Sequence, residues 1–421
     1  MPNTTLINQP LNGNLGDYLI SCLEDADFDI ANIIVAFAKN SGVLRLKPAL
    51  EQFKARSAEI NIFVGIDLDG TSYEALISLS KLADKLYVVH TESDQTFHSK
   101  VYNFKKKDRS IVVVGSNNLT AGGLWTNLES CSIEQLDLSE QSDRSVQCQI
   151  DSYISDITEM QGLSMEIKCQ EDIEALLKAG YVSKEAKTRI RRESARRQIS
   201  KESLDSIKPF ISRIKASLPP IMPDGQHKSA LPDTTKAKIE ARLSASEPTL
   251  DKLNGDGNSI WFETRKMTGG SRNILDLSKK SLVKQGDPQY TAFSIDGSST
   301  EMKGGVQFFG IDPANTSSSI DITINYDGVD YKGNTIKYPT GDKANGTWRL
   351  QIKGESSDGE NILDSFERDY LVNKILVFTK IDERYFFMSI FDASDLNDFI
   401  DVSKVVAYNG SNRRSRLLGL W

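Results

Sequence analysis

The feature that most constrains this chain is a change in hydrophobic period part-way along it. Over roughly the first 175 residues, apolar positions switch repeatedly between helical and strand spacing. Leu15, Tyr18, Leu19, Cys22 and Leu23 recur at helical intervals, which predicts an amphipathic helix over about 14–26. Residues 30–38 read as a buried strand, about 44–56 as a helix and 60–66 as a strand. Thr71 or Ser72 can cap the next helix, which runs to about residue 83 with Glu74 in its first turn. Strands follow at 86–90, 100–104, 110–115 and 131–136. Such alternation predicts a layered α/β domain with a substantially parallel sheet.

Beyond about residue 255 the pattern changes. GGVQFFGI, SIDITINY, TWRLQIKG, KILVFTKI and RYFFMSIF are short β-branched or aromatic runs separated by Gly, Asn and Asp. They predict a β-sandwich or barrel-like domain of about 165 residues. Between the two regions, KEAKTRIRRESARRQISK (184–201) is basic and helical in pattern, and SLPPIMPDGQHKSALPD (217–233) is a Pro-punctuated connector. The expected organisation is therefore 1–178, a linker at 179–252, and 253–421. The basic run suits DNA phosphates, and equally a solvated helix face.

A chain of 421 residues exceeds one ordinary domain, and 39% apolar with 26% charged residues is globular composition. The net charge of −7 neither demands nor excludes nucleic acid, because local basic patches decide phosphate binding. IIVAFA at 33–38, the most apolar stretch, has strand length, and MPNTTLINQP lacks the basic and apolar regions of a signal peptide. A cytoplasmic protein without membrane association is expected. Cys22, Cys131, Cys148 and Cys169 lack CxxC spacing, which points to reduced thiols rather than a disulfide frame or zinc site. No metal and no cofactor are expected.

The chemistry concentrates in residues 96–130, TFHSKVYNFKKKDRSIVVVGSNNLTAGGLWTNLES. His98 and Lys100 stand two apart on a predicted strand, so both project from one face of the sheet. The next strand ends in Gly115-Ser116-Asn117-Asn118, and Asn127 and Glu129 precede another. An imidazole, an ammonium, a hydroxyl, an amide and a carboxylate thus gather at one strand edge. That set can cleave a phosphodiester. An imidazole attacks phosphorus in line and forms a phosphohistidine. Lys100 and Asn118 can stabilise charge on the equatorial oxygens, and Ser116 can add a hydrogen bond. Glu129 can orient the imidazole through its far nitrogen. A second imidazole is needed to protonate the leaving oxygen.

His98-x-Lys100, Gly115-Ser116-x-Asn118 and Asn127-x-Glu129 in this order resemble the HxK, GSxN and E motifs of the phospholipase D superfamily. The resemblance implies that His98 is the nucleophile, Lys100 and Asn118 are phosphate ligands and Glu129 is the histidine partner. One position departs: the family pattern has aspartate seven residues after the histidine, and Lys105 stands here. Only one such motif occurs. The superfamily uses two facing motifs, so the resemblance implies a homodimer whose second His98 is the general acid. Two other patterns carry less. Asp67-Leu68-Asp69-Gly70-Thr71 matches the nucleophile loop of haloacid dehalogenase-type phosphatases, but without that family's acidic loop it reads as a capped strand-to-helix turn. Glu166-Ile167-Lys168 reads as an ordinary surface tripeptide.

In the β-rich half, TRKMTGGSRN places Arg265, Lys266, Arg272 and Asn273 around a Gly-Gly bend. YKGNTIKYPTGDKANGTWRL gathers Lys332, Asn334, Lys337, Lys343, Asn345 and Arg349, and the tail adds Arg413, Arg414 and Arg416. Arg and Asn suit bidentate reading of base edges, and Lys suits phosphates, so two β-arms gripping double-stranded DNA are expected. The order of parts resembles the BfiI and NgoFVII group of restriction endonucleases. That resemblance implies a C-terminal pseudobarrel related to the plant B-three DNA-binding domains and a sequence-specific endonuclease. Some members work with a separate helicase-like ATPase, which this chain, lacking a P-loop, would recruit. Two further readings compete: phosphatidyl transfer, and a non-cleaving DNA-binding defence or regulatory protein that uses the first domain to dimerise.

Overall fold

The computed structural model describes residues 3–93, 95–200, 218–219, 259–264, 272–289, 291–340, 346–367 and 369–421. The chain divides into two compact units, one holding the described residues up to Arg191 and one holding 259–421.

The first unit orders its elements as β1 (Asn3–Gln9), α1 (Leu15–Glu24), β2 (Ile30–Val35), α2 (Asn40–Ala55), β3 (Glu59–Gly65), α3 (Tyr73–Leu82) and β4 (Lys85–Val89). There follow β5 (Lys100–Lys105), β6 (Arg109–Gly115), β7 (Glu129–Asp137), α4 (Gln141–Glu159), β8 (Ser164–Glu166), α5 (Gln170–Ala179) and the start of α6 (Glu185–Ser200), whose residues from Arg192 are grouped with the second unit. The helices α1 and α3 start where expected, whereas α2 begins at Asn40, ahead of the expected start near 44. Asn14 Oδ1 accepts from Asp17 N and caps α1, and Ser72 Oγ accepts from Ala75 N and caps α3.

The eight strands form one sheet in the order β1-β7-β6-β5-β2-β3-β4-β8. Only β2/β3 and β3/β4 are parallel; the remaining pairings are antiparallel. The expectation of a substantially parallel sheet is therefore corrected. Parallel neighbours need a crossover helix, which α2 and α3 supply. No helix separates β4, β5 and β6, and only a five-residue helical turn, Gly122–Thr126, lies between β6 and β7. The Lys-Lys-Asp turn at 106–108 closes a β5/β6 hairpin, with Lys106 N donating to Arg109 O at 3.0 Å.

Both faces of the sheet are covered. Leu19, Leu46, Leu76 and Ile173 of α1, α2, α3 and α5 pack on Ile62, Tyr102 and Ile133. On the opposite face Ile157 of α4 packs with Ile34, Phe63, Val101 and Val112. Sequence reading passed over α4, because few of its side chains are buried and its apolar stripe is thin. Lys105, at the departing motif position, lies on this face and pairs with Asp151 of α4 at 3.0 Å. The four cysteines are free thiols. Among the described residues no helix is long and apolar enough to cross a membrane.

The second unit contains β9 (Ser259–Glu263), β10 (Ile274–Leu277), β11 (Lys280–Gln285), β12 (Glu301–Lys303), β13 (Ser319–Tyr326), β14 (Val329–Lys337) and β15 (Trp348–Gln351). After these come β16 (Lys374–Asp382), β17 (Tyr385–Asp392), α7 (Leu396–Val402), β18 (Val405–Tyr408) and β19 (Leu417–Leu420). They form one sheet ordered β10-β15-β14-β13-β17-β16-β9-β19-β18-β11-β12, with only β13/β17 parallel. No pairing among the described strands joins β10 to β12, so they form no closed barrel; the sheet surrounds a core that includes Phe262, Phe309, Trp348 and Phe386. GGVQFFGI, expected as a strand, is a 3₁₀ turn over Gly305–Phe309.

Helix α6 begins against the first unit through a pair of acids. Glu74 is 3% exposed, and its Oε2 accepts from Glu185 N at 3.0 Å. Glu185 Oε1 accepts from Asn40 N and from Ser72 Oγ, each at 2.8 Å. Burial, reinforced by the neighbouring Glu185 charge, raises the Glu74 pKa from 4.5 to about 8. The folded state then retains a proton that the unfolded chain has released, so this contribution is full below 4.5 and is lost as pH rises through 8. Thermal melts should show the Tm of the first unit falling across that window. Glu74→Gln should flatten the fall.

Candidate active site

The predicted site residues of the first unit converge at one end of its sheet. Strand β5 starts there, with Lys100 opposite Val35, the last residue of β2. Gly115, the last residue of β6, pairs with Cys131 of β7. A Cβ at Gly115 would lie 2.4 Å from the Cys131 Cβ, so this approach needs glycine. The backbone beyond it carries Ser116 and Asn118 to the same edge.

His98 is exposed and Lys100 is 6% exposed. Lys100 Nζ lies 2.8 Å from His98 Nδ1 and donates to His98 O at 2.8 Å, so the imidazole turns Nε2 outward. Burial lowers the Lys100 pKa, and the charge of Glu129 opposes that shift. Phe37 packs edge-on against the His98 ring at 5.6 Å and lies 5.9 Å from Lys100 Nζ. Phe37 N donates to Asn118 Oδ1 at 3.2 Å, which leaves the Asn118 amide donors for a ligand. Asn117, next to it, is buried and structural: its Nδ2 donates to Gly123 O, and its carbonyl accepts from Tyr102 Oη.

Glu129 is placed differently from the expectation. One carboxylate oxygen accepts a short hydrogen bond from Ser116 Oγ, and the other accepts from Asn127 Nδ2 at 3.3 Å. Within one chain Glu129 therefore organises Ser116 and Asn127, and His98 takes its contacts from Lys100 and Phe37. Among the described residues, no group of three or more His, Cys, Asp or Glu side chains could hold a metal ion.

His98, Lys100, Ser116, Asn118 and Glu129 thus share one strand edge in the order that the family motifs require. Residues 22–171 match the family model of the NgoFVII restriction endonuclease N-terminal PLD domain. All five residues fall inside that match. Among curated proteins none matches the chain significantly. Similar solved structures include Nuc, a phospholipase D family member from Salmonella typhimurium. It is 16% identical and aligns over 40% of this chain and 100% of that one, with a TM-score of 0.30. NucT from Helicobacter pylori is 18% identical over 38% of this chain and 97% of that one, with a TM-score of 0.28. Phosphatidylserine synthase from Haemophilus influenzae Rd KW20 is 12% identical over 48% of this chain and 46% of that one, with a TM-score of 0.32.

The second unit separates its predicted DNA-contacting residues. Arg265, Lys266, Lys343 and Asn345 lie outside the described residues. Residues 331–337 are not a free arm but part of β14, which pairs with β13 on one side and, at Thr335–Lys337, with β15 on the other. Asn334 is corrected from a base reader to a structural residue. It is 0% exposed, its Nδ2 donates to Tyr331 O at 2.8 Å, and its Oδ1 accepts from Lys353 N and Gly354 N. Asn273 Nδ2 likewise donates to Ile352 O at 2.9 Å. Arg272 pairs with Asp369 at 2.8 Å and Arg349 with Asp276 at 4.0 Å. Lys332, Lys337, Arg413 and Arg414 are exposed. Arg416 is paired with Glu263 at 2.6 Å.

Sequence reasoning missed Phe37, Asp67 and His90 at the catalytic edge. Phe37 ended a strand pattern, Asp67 lay in a discarded motif, and His90 lacked a lysine two residues on. Only the proximity of strand ends reveals them.

Two outcomes follow. Lys100→Met should lower the cleavage rate of a phosphodiester substrate about a hundred- to a thousand-fold. Its Tm should stay level or rise, because a buried cation is replaced by an apolar chain of similar length. Asn334→Ala should cost about 1–3 kcal/mol in denaturant unfolding, with or without DNA, because it strands two backbone N–H groups.

Proposed function

We propose that this protein is a sequence-specific endodeoxyribonuclease of the phospholipase D type, cutting double-stranded DNA through a phosphohistidine on His98 without a metal ion. The observation that carries the reading is the His98–Lys100 contact at 2.8 Å, flanked by Asn118, Ser116 and Glu129, within the segment matched by the restriction endonuclease model.

In the first step, His98 Nε2 forms a bond to phosphorus as the P–O bond to the leaving nucleoside oxygen breaks. Attack needs the lone pair of Nε2; in the resting contact Nδ1 accepts from the Lys100 ammonium, so the ring proton passes from Nε2 to Nδ1 as Lys100 leaves Nδ1. The Lys100 ammonium, already directed to His98 O, then turns its remaining donors to a phosphoryl oxygen. Asn118 Nδ2 supplies a second donor. Glu129 holds Ser116 in place and sets the charge around Lys100. The leaving oxygen takes a proton from a second imidazole. Water then attacks phosphorus, giving its proton to the second imidazole, as the P–N bond breaks, which restores both histidines.

The second imidazole is His98 of another copy in a homodimer. A surface suited to that pairing borders the site. Leu6 and Val114 are both registered opposite Ser132, so they share a sheet face, and both are exposed, as is Leu128 beside Glu129. The sheet of the second unit is the recognition module in this reading. Exposed Lys332, Lys337, Arg413 and Arg414 suit phosphate contacts. A helicase-like ATPase partner belongs to the same reading.

Plasmid cleavage in EDTA tests it. The wild-type protein should cut at defined sites with chelator present, and denaturing gels should show labelled phosphate bound to the chain. His98→Ala should cut at least about a thousand-fold more slowly, as expected when a nucleophile is lost. A chelator-sensitive wild type, or label on another residue, would sink the mechanism.

A further inference from the structure

The turn at residues 67–71, read in the sequence as a strand-to-helix connection, touches Phe97, which precedes the nucleophile, and Phe37, which packs on it. Asp67 is 9% exposed, and its Oδ2 accepts from Phe97 N at 2.9 Å, one residue before His98. Its Oδ1 accepts from His90 Nδ1 at 2.5 Å. The His90 ring is held in turn by Tyr181, edge-on at 5.3 Å, and its Nε2 lies 3.9 Å from Glu92 Oε2. His90 follows β4 and Asp67 follows β3, so the pair stands at the same sheet end as His98.

The turn also supports Phe37, the ring that packs on His98. A Cβ on Gly70 would come 1.9 Å from the Phe37 ring, so the glycine lets the ring sit directly on the backbone. Thr71 Oγ1 donates to Gly65 O at 2.6 Å and accepts from Ala38 N at 3.0 Å, and Lys39 Nζ donates to Asp69 O at 2.9 Å. Leu68 and Asp69 are consecutive non-glycine residues with φ of 57° and 53°, and the Leu68 side chain is 76% exposed. Two adjacent left-handed residues persist only where their surroundings over-determine them. Leu68 gains little burial from its conformation. The turn is fixed instead by the contacts of Asp67 and Thr71, by Lys39 on Asp69 O, and by Arg191 on the Asp69 carboxylate at 3.1 Å.

We infer that Asp67 and His90 form a positioning dyad for the nucleophile: Asp67 fixes the chain at Phe97, His90 fixes Asp67, and the strained turn keeps Phe37 against the His98 ring. Neither residue touches the reacting atoms. The dyad acts through the placement of His98, and it deepens the nuclease reading on which it rests. Misplacing a reacting group by about 1 Å costs about a hundred-fold in rate, so the effect should fall on kcat.

The test uses full-length protein with Asp67→Ala, Asp67→Asn and His90→Gln. Asp67→Ala should lower kcat for plasmid cleavage about ten- to a hundred-fold with KM little changed. Asp67→Asn should recover most of that loss, because its amide oxygen still accepts from Phe97 N–H. His90→Gln should fall between them. A purely structural role would instead lower Tm and folded fraction while kcat per folded molecule stayed level, and that result overturns the proposal. A second readout does not depend on cleavage. The chain has three histidines, so ring ¹⁵N spectra resolve His98 once His98→Ala assigns it. Asp67→Ala should shift or broaden the His98 ring signals, and unchanged signals would refute the dyad. If the wild type cuts no DNA, the nuclease reading fails, and the ring spectra still decide whether Asp67 positions His98.

Discussion

Strand β5 runs against β2, and that reversed pairing decides which groups meet in the first unit. Strands β2, β3 and β4 are parallel and deliver their carboxyl ends to one edge. Because β5 is antiparallel to them, it delivers its amino end there, with His98 and Lys100 at the start. The same reversal makes β6 and β7 a meander, bringing Ser116, Asn118 and Glu129 in from the other side. A fully parallel sheet would have placed the start of β5 at the opposite end, away from Phe37 and Asp67.

That edge is held at some energetic cost. Lys100 is an ammonium almost out of contact with water, and the turn after β3 contains two left-handed side-chain-bearing residues. Both features weaken a fold taken by themselves. The two apolar layers offset them, one under α1, α2, α3 and α5 and the other under α4. Rigid strand ends then act as the frame, and the polar groups are supported by neighbours that bond to backbone, as Asp67 does at Phe97 and Asn117 at Gly123.

The residues gathered at the candidate site were legible in the sequence because their motif is local. His98 and Lys100 share a strand face through the two-residue period, and GSxN follows the next strand by the same rule. The helices α1 to α3 were legible through spacing and caps. Parallel direction was not, because periodicity gives the presence of a strand without its neighbour; the Lys-Lys-Asp turn between β5 and β6 carried the hint of a hairpin. Asn334 misled for a related reason. A polar residue among lysines suggests an exposed arm, yet in β14 it satisfies backbone groups left over near β15. Glu129 reached the expected strand edge, but its oxygens bond Ser116 and Asn127 rather than His98.

By itself the sequence determined the period of each segment, the caps, the free cysteines and the order of an imidazole, an ammonium, an amide and a carboxylate, because each follows from residues near one another in the chain. Tertiary structure alone decided strand direction, the strand order of the second sheet, the burial of Asn334 and the convergence of Phe37, Asp67 and His90 around His98. Those outcomes depend on which distant backbone segments pair and what they exclude from water, and no local pattern encodes that.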